Sequence, residues 1–246
     1  MEPLDERPQI GRIAVDASAL EQDGIDLDAM LAELDVELSG ERPTDTPLSG
    51  WRVLTTADGV LATIGAPTDD DGQTWRLGQV LRGQGKPIRR LLALHPTSQP
   101  RRPSAKARAG GLTLRWPAVT REAPDLDLLA IDVVNTGGER WFPQGDSFMV
   151  FAALRQPDGP PPGVHFGYIA GQCPALPLEP GEYARVRVVV DAGQWNNTHS
   201  GPNEVHAFLV DLGLRGADAL HVELTDQDIE RHLPRRPSPP PPSSRP

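Results

Sequence analysis

Apolar and polar positions alternate with two different periods along this chain. Between positions 110 and 224 the short runs "GLTLRWPAV", "DLDLLAIDVVN", "SFMVFAAL", "VHFGYIA", "YARVRVVVD", "EVHAFLVDL" and "ALHVELT" are separated by the turn clusters "NTGGER", "PDGPPPG", "LEPGE" and "NNTHSGPN". Seven strand-length runs without a helical period between them predict an all-β sandwich. Within "YARVRVVVD", Tyr183, Arg185, Arg187 and Val189 share one face, and Ala184, Val186, Val188 and Val190 share the other. The second set is expected to face the core. Upstream, "WRVLTT", "VLATIG", "QTWRLGQVL" and "PIRRLLALHP" predict a small β meander over 49–95, turning first at Asp58-Gly59 and then at "TDDDG".

One segment carries a helical period. Leu27, Met30, Leu31, Leu34 and Leu38 recur at helix spacing, Asp26 stands where a cap is needed, and Gly40 and Pro43 follow. This predicts one short amphipathic helix in an acidic arm, 1–48. Its leucine stripe must dock to persist, either on the chain itself or on a partner. The stretch "PTSQPRRPSAKARA", 96–109, reads as a basic Pro/Ser-rich linker. In 225–246, Thr225 and Asp228 form a capping-box pattern at the head of a short helix, and "PRRPSPPPPSSRP" predicts a disordered Pro-rich tail.

Composition changes this picture little. Gly (24) and Pro (27) exceed a fifth of the 246 residues, as many short strands and turns require. All but two of the 24 basic residues are arginine, the exceptions being Lys86 and Lys106, a bias that GC-rich codons explain and that points to a bacterial source. The single Cys173 allows no intrachain disulfide and no multi-thiolate metal site, and is expected to be an inert buried residue. No signal peptide or membrane-spanning run is present, which makes the cytoplasm the expected compartment.

Candidate chemistry is sparse. No Gly-x-Ser-x-Gly elbow occurs, and "LRGQGKP" lacks the spacing and the hydroxyl of a phosphate loop. "TDDDG" lacks the ligand alternation of a calcium loop and reads as a solvated turn. The densest polar loop, "QWNNTHSGPNEVH", offers Trp195 as a stacking platform for a sugar, with Asn196, Asn197 and His199 as hydrogen bonders. A zinc set of His199, His206 and Glu204 is the other reading of that loop. No cofactor is expected.

The residues Asn135-Thr136-Gly137, Trp141 and Pro180-Gly181-Glu182 resemble the corner elements of bacterial immunoglobulin-like modules. More distantly, "NTGGERWFPQG" is similar to the Trp-rich immunoglobulin-like domain of selective-autophagy receptors. The resemblance implies an immunoglobulin-like antiparallel β-sandwich over 110–224, a fold used mostly for binding and spacing. Trp141 is then a core anchor, and the Asn135 tip is a corner before it is a site.

Charge is distributed unevenly. Residues 1–71 carry a net −13 and residues 122–246 a net −8, whereas 72–121 hold eleven basic residues and no acidic one. Three readings stay open: the acidic arm neutralises this segment, the segment offers a surface to a polyanion or an acidic protein, or it is plain solvated linker. Nucleic acid is disfavoured, because no aromatic lies between Trp75 and Trp116 and the chain is net −10. The expected function is therefore non-catalytic protein–protein interaction, as an adaptor, scaffold or accessory subunit. Arg82, Lys86, Arg89, Arg90, Arg101 and Arg102, with Leu27, Leu31 and Leu34, would face a partner that is acidic or offers a hydrophobic groove. If the arm masks the basic segment, removing 1–48 would raise partner affinity.

Overall fold

The computed structural model describes residues 6–57, 61–82, 90–157, 159, 173–190 and 192–233. The Asp58-Gly59 turn, residues 83–89 with Lys86 and Arg89, the run "VHFGYIA" and the Pro-rich tail lie outside the described residues. The protein is mainly β, and its contacts divide it into two compact units, 1–108 and 109–246.

The first unit is built on one mixed sheet. Its strands are β1 (Gln9–Ile10), β2 (Ile13–Ala14), β3 (Glu37–Leu38), β4 (Arg52–Ala57), β5 (Leu61–Pro67), β6 (Thr74–Arg82), β7 (Arg90–Leu94) and β8 (Gln99–Arg102). β4 to β7 form an antiparallel meander, β8 pairs the start of β6, and β1 pairs β8. The helices α1 (Ala17–Leu20), α2 (Leu27–Leu34) and α3 (Ala105–Arg108) complete the unit. Gly65 and Gly78 sit mid-strand because a Cβ would come within 2.6 Å of Leu54 Cδ1 and 2.9 Å of Leu92 Cδ1, respectively.

The expected arm is part of this unit. Leu27 and Met30 are buried in one core with Val36, Trp51, Ile64 and Leu92, and Leu31 and Leu34 pack on its margin. Ile10, Val15 and Ala19 form a second cluster with Leu54, Trp75 and Leu77. The helix is shorter than its apolar period suggested. Asp35 adopts a left-handed conformation (φ 52°) at its C-terminus, and Leu38 belongs to β3, parallel to β7. Acidic side chains tolerate that conformation better than branched ones do, so the chain leaves the helix before Val36. Asp26 stands at the N-terminal boundary without making a side-chain cap. The stretch 96–109, read as linker, contains β8 and α3, with Ala105 and Arg108 buried.

The second unit holds β9 (Leu112–Arg115), α4 (Ala118–Glu122), β10 (Ala130–Asn135), β11 (Val150–Arg155), β12 (Tyr183–Val190), β13 (Gly201–Leu209), β14 (Leu214–Arg215), β15 (Leu220–Leu224) and α5 (Asp226–His232). β12 serves two neighbours in succession. Its first half pairs antiparallel with β10, and its second half, from Val188, pairs parallel with β11. A strand that changes partners along its length is a way of turning the corner between two packed sheets. The parallel pair corrects the expectation of a purely antiparallel body. It is possible because the long connection 156–182 separates β11 from β12, and a parallel pair needs such a crossover. In β12 the exposed and buried residues alternate as the pattern required, with Val186 and Val188 inward and Tyr183, Arg185, Arg187 and Val189 outward.

The Asn135 tip is a corner. Asn135 is buried; its Nδ2 donates to the carbonyls of Glu139 (2.8 Å) and Leu178 (2.9 Å), and its Oδ1 accepts from the Gly137 amide (3.0 Å). Trp141 is 7% exposed, bridges Leu178 and stacks on Phe148 at 5.5 Å. Gly111 crosses beneath this corner at φ +80°, where a Cβ would lie 3.2 Å from both Asn135 Oδ1 and Gly137 Cα. Gly111→Ala is therefore expected to destabilise the protein by about 2 kcal/mol, from left-handed strain and crowding together. Chemical denaturation would read the change directly, and an unchanged midpoint would contradict the tight crossing.

Candidate interaction surface

Register brings two arginines of this unit together on the outward face of β9, β10 and β12. Asp132 on β10 faces Arg115 on β9 and Arg185 on β12. Side chains directly opposite in adjacent strands stand about 5 Å apart at Cβ, so the three form a row across the sheet. Arg185 closes on Asp132 with two bonds, from Nε to Oδ1 at 2.8 Å and from Nη2 to Oδ2 at 3.1 Å. This fork burial-locks the Asp132 carboxylate, which is 3% exposed. The same hydrogen bonding raises the Arg185 pKa above its already high ordinary value. Arg185 also lies 5.7 Å from the Tyr183 ring centroid, within cation–π range.

Beyond β9 the chain turns at Trp116-Pro117 into α4. Trp116 is buried and its indole donates to the Asp218 carbonyl at 3.1 Å, pinning the start of α4 to the loop before β15. Arg121 binds the Asp218 carboxylate at 2.9 Å. The sheet face and α4 together bound an open groove of about 580 Å³, lined by Arg115, Trp116, Val119, Arg121, Tyr183 and Arg185 among others. Two of its arginines are ion-paired within the protein, whereas Arg115 makes no ion pair with a described residue. Val119 is 64% and Tyr183 49% exposed at the same groove. Isolated exposed apolar side chains are ordinary, but two at the wall of one basic groove form a composite surface.

The residues singled out from the sequence fall elsewhere. Arg82 ends β6 opposite Arg90 on β7, whereas Arg101 and Arg102 on β8 lie past the other end of β6, where the Arg101 amide donates to Gln73. At about 3.3 Å per strand residue, the two groups stand roughly 30 Å apart along β6 and form no single patch. Parts of the basic segment are neutralised inside the first unit: Arg76 pairs with Asp45 and Lys106 with Glu6. Leu27, Leu31 and Leu34 face the core of their own unit.

In the polar loop, Trp195 is 3% exposed and its ring is stacked on His232 of α5 at 4.3 Å. That imidazole donates from Nδ1 to the Asp228 carbonyl (2.7 Å) and places Nε2 2.9 Å from Asp127. The face a sugar would use is thus covered, with Asn196 and Asn197 exposed beside it. α5 itself opens with the reciprocal Thr225–Asp228 capping box. Hydrogen bonding from the Thr225 hydroxyl holds the Asp228 carboxyl below the usual aspartate range. The box therefore contributes in full above that range and is lost as pH falls through the depressed value.

His206 lies 3.0 Å from Glu204, and His221, across on β15, lies 3.9 Å from the same carboxylate; His199 is exposed. Among the described residues no group of three or more His, Cys, Asp or Glu side chains is placed to hold a metal ion. Nor is any helix among them long and apolar enough to cross a membrane. The "TDDDG" turn spends its first carboxylate internally, with Asp69 accepting from the Gln73 amide and the Thr74 hydroxyl. Cys173 is exposed, correcting the expectation of a buried thiol, and its carbonyl accepts from the Phe148 amide.

Compared with known protein families, curated proteins and solved structures, the chain matches none of them.

Proposed function

We propose that this is a non-catalytic protein–protein interaction module, an adaptor or accessory subunit, whose docking face is the groove between α4 and the outward face of β9, β10 and β12. The observation that carries this reading is the pairing of exposed Val119 and Tyr183 with Arg115, which makes no ion pair with a described residue, at one open groove. Interfaces favour Tyr and Arg at their centres, where an aromatic body and a forked cation each supply much contact for little lost entropy. An immunoglobulin-like plan for 110–224 is part of the proposal. It is supported by the Asn135 corner, the buried Trp141 and the two-sided pairing of β12.

The test is capture from a native lysate by the full-length protein and by two surface variants. Val119→Asp with Tyr183→Ser is expected to abolish capture of a stoichiometric partner while leaving the melting temperature nearly unchanged. Leu176→Asp, at an exposed position away from the groove lining, is expected to leave capture intact. Equal capture by all three proteins would overturn the assignment of the docking face.

A further inference from the structure

Arg115 points to the chemistry of the partner. We infer that the groove recognises an acidic segment of a protein, with one carboxylate seated on Arg115 and an adjoining apolar side chain laid between Val119 and Tyr183. The inference rests on the proposed docking face and adds what that face selects.

The argument is one of charge complementarity. Three arginines line the groove, and among the described residues the only acidic one lining it is Asp132, which is buried and already bound by Arg185. Arg121 is taken by Asp218. These two pairs leave one cationic valence, at Arg115, which is exposed. Arg185 and Arg121 still contribute: each stays cationic and presents guanidinium edges beyond those its partner occupies. An incoming carboxylate thus meets a planar fork suited to it, flanked by two further positive groups, on a protein whose net charge is −10. The overall negative charge repels acidic partners at long range, so only a segment that reaches this groove gains the local attraction. That arrangement selects for a short acidic stretch on a mobile segment over a broadly acidic surface.

The apolar half of the site gives the register. Val119 lies on α4, four positions beyond Arg115, and Tyr183 lies on β12 two residues before Arg185. An aliphatic or aromatic residue next to the acidic one would therefore be held between helix and sheet while the carboxylate is held over β9. A basic or purely polar segment gains nothing here. Phosphate-rich polymers would engage the arginines but not the apolar wall.

The experiment uses the full chain to select from a random peptide library displayed on phage, in parallel with Arg115→Glu and Val119→Asp. Enrichment of peptides in which Asp or Glu adjoins an apolar residue, with synthetic versions binding roughly tenfold or more weakly to Arg115→Glu, is the expected result. Arg115→Met, which keeps the stem and removes the charge, should lose a similar share. Peptides that show no acidic bias, and bind Arg115→Glu as well as wild type but fail on Val119→Asp, would overturn the acidic specificity and leave the docking face standing. Enrichment indifferent to both substitutions, or none at all, would overturn both.

Discussion

A chain lacking residues 1–48 is expected to lose the folded state of its N-terminal unit. Those residues include the buried side chains of Ile10, Val15, Leu27, Met30 and Val36, together with β1, β2 and β3 of the sheet. Fully burying an aliphatic side chain of this size contributes about 2 kcal/mol, so their removal costs on the order of 10 kcal/mol. That matches the whole stability of an ordinary domain. It would also uncover Trp51 and Leu92, which are fully buried in the same core as Leu27. Hydrogen exchange across β4 to β7 should show protection in the full chain and none in the truncated one. Retained protection would mean that the first 48 residues are a dispensable arm. The gain in partner affinity expected from unmasking is consequently not what this truncation measures. Two acidic residues of the arm that meet the basic segment, Asp45 and Glu6, belong to the architecture of the unit.

The second large effect is expected at Asp45. Arg76 on β6 is fully buried; its Nη1 donates to the His95 carbonyl at 2.8 Å, and its Nη2 faces the carboxylate of Asp45. Its Nε has no acceptor among the described residues, so Asp45 is the group that balances the charge. Asp45→Ala leaves a buried guanidinium uncompensated and is expected to destabilise the protein by about 3 kcal/mol. Arg76→Met removes charge and hydrogen bonds together while nearly preserving volume, and leaves Asp45, which is largely exposed, solvated. It is expected to cost about 1 kcal/mol or less. The order of the two denaturation midpoints is the check. An Arg76→Met variant less stable than Asp45→Ala would mean that the hydrogen bond to the His95 carbonyl, not balance of the charge, is what matters there.

The β-rich character and most strands were legible because alternation is a local signal: β12 shows inward valines and outward arginines at the positions its period dictates. Corner chemistry was legible for the same reason, since Asn135, Gly137 and Trp141 have few other uses in so tight a turn. The Thr225–Asp228 box was likewise local and is present as read. What escaped is non-local. β1, β2 and β3 are two-residue strands, too short for any period; β1 and β3 lie on edges offered by β8 and β7 from distant sequence, and β2 folds back on β1.

The proposed groove was not legible in the sequence for a related reason. A count along the sequence marked 72–121 as basic, and Arg115 and Arg121 lie inside that window, but their companions Tyr183 and Arg185 lie some sixty residues downstream, on β12. Only the register of β9, β10 and β12 brings them to one face. The same count grouped Arg90 with Arg101, which pairing along β6 sets at opposite ends. Trp195 looked available because its loop is polar. The residue that covers it, His232, comes from α5, and no local pattern marks where that helix packs.

The docking face is tested most directly by hydrogen exchange of the full-length protein alone and in complex with the partner it captures. The account predicts that slowed exchange on binding is concentrated in 112–122 and 183–187, the segments of β9, α4 and the first half of β12. Slowed exchange confined to β7 and β8, around Arg90 and Arg101, with β9, α4 and β12 unchanged, would contradict it.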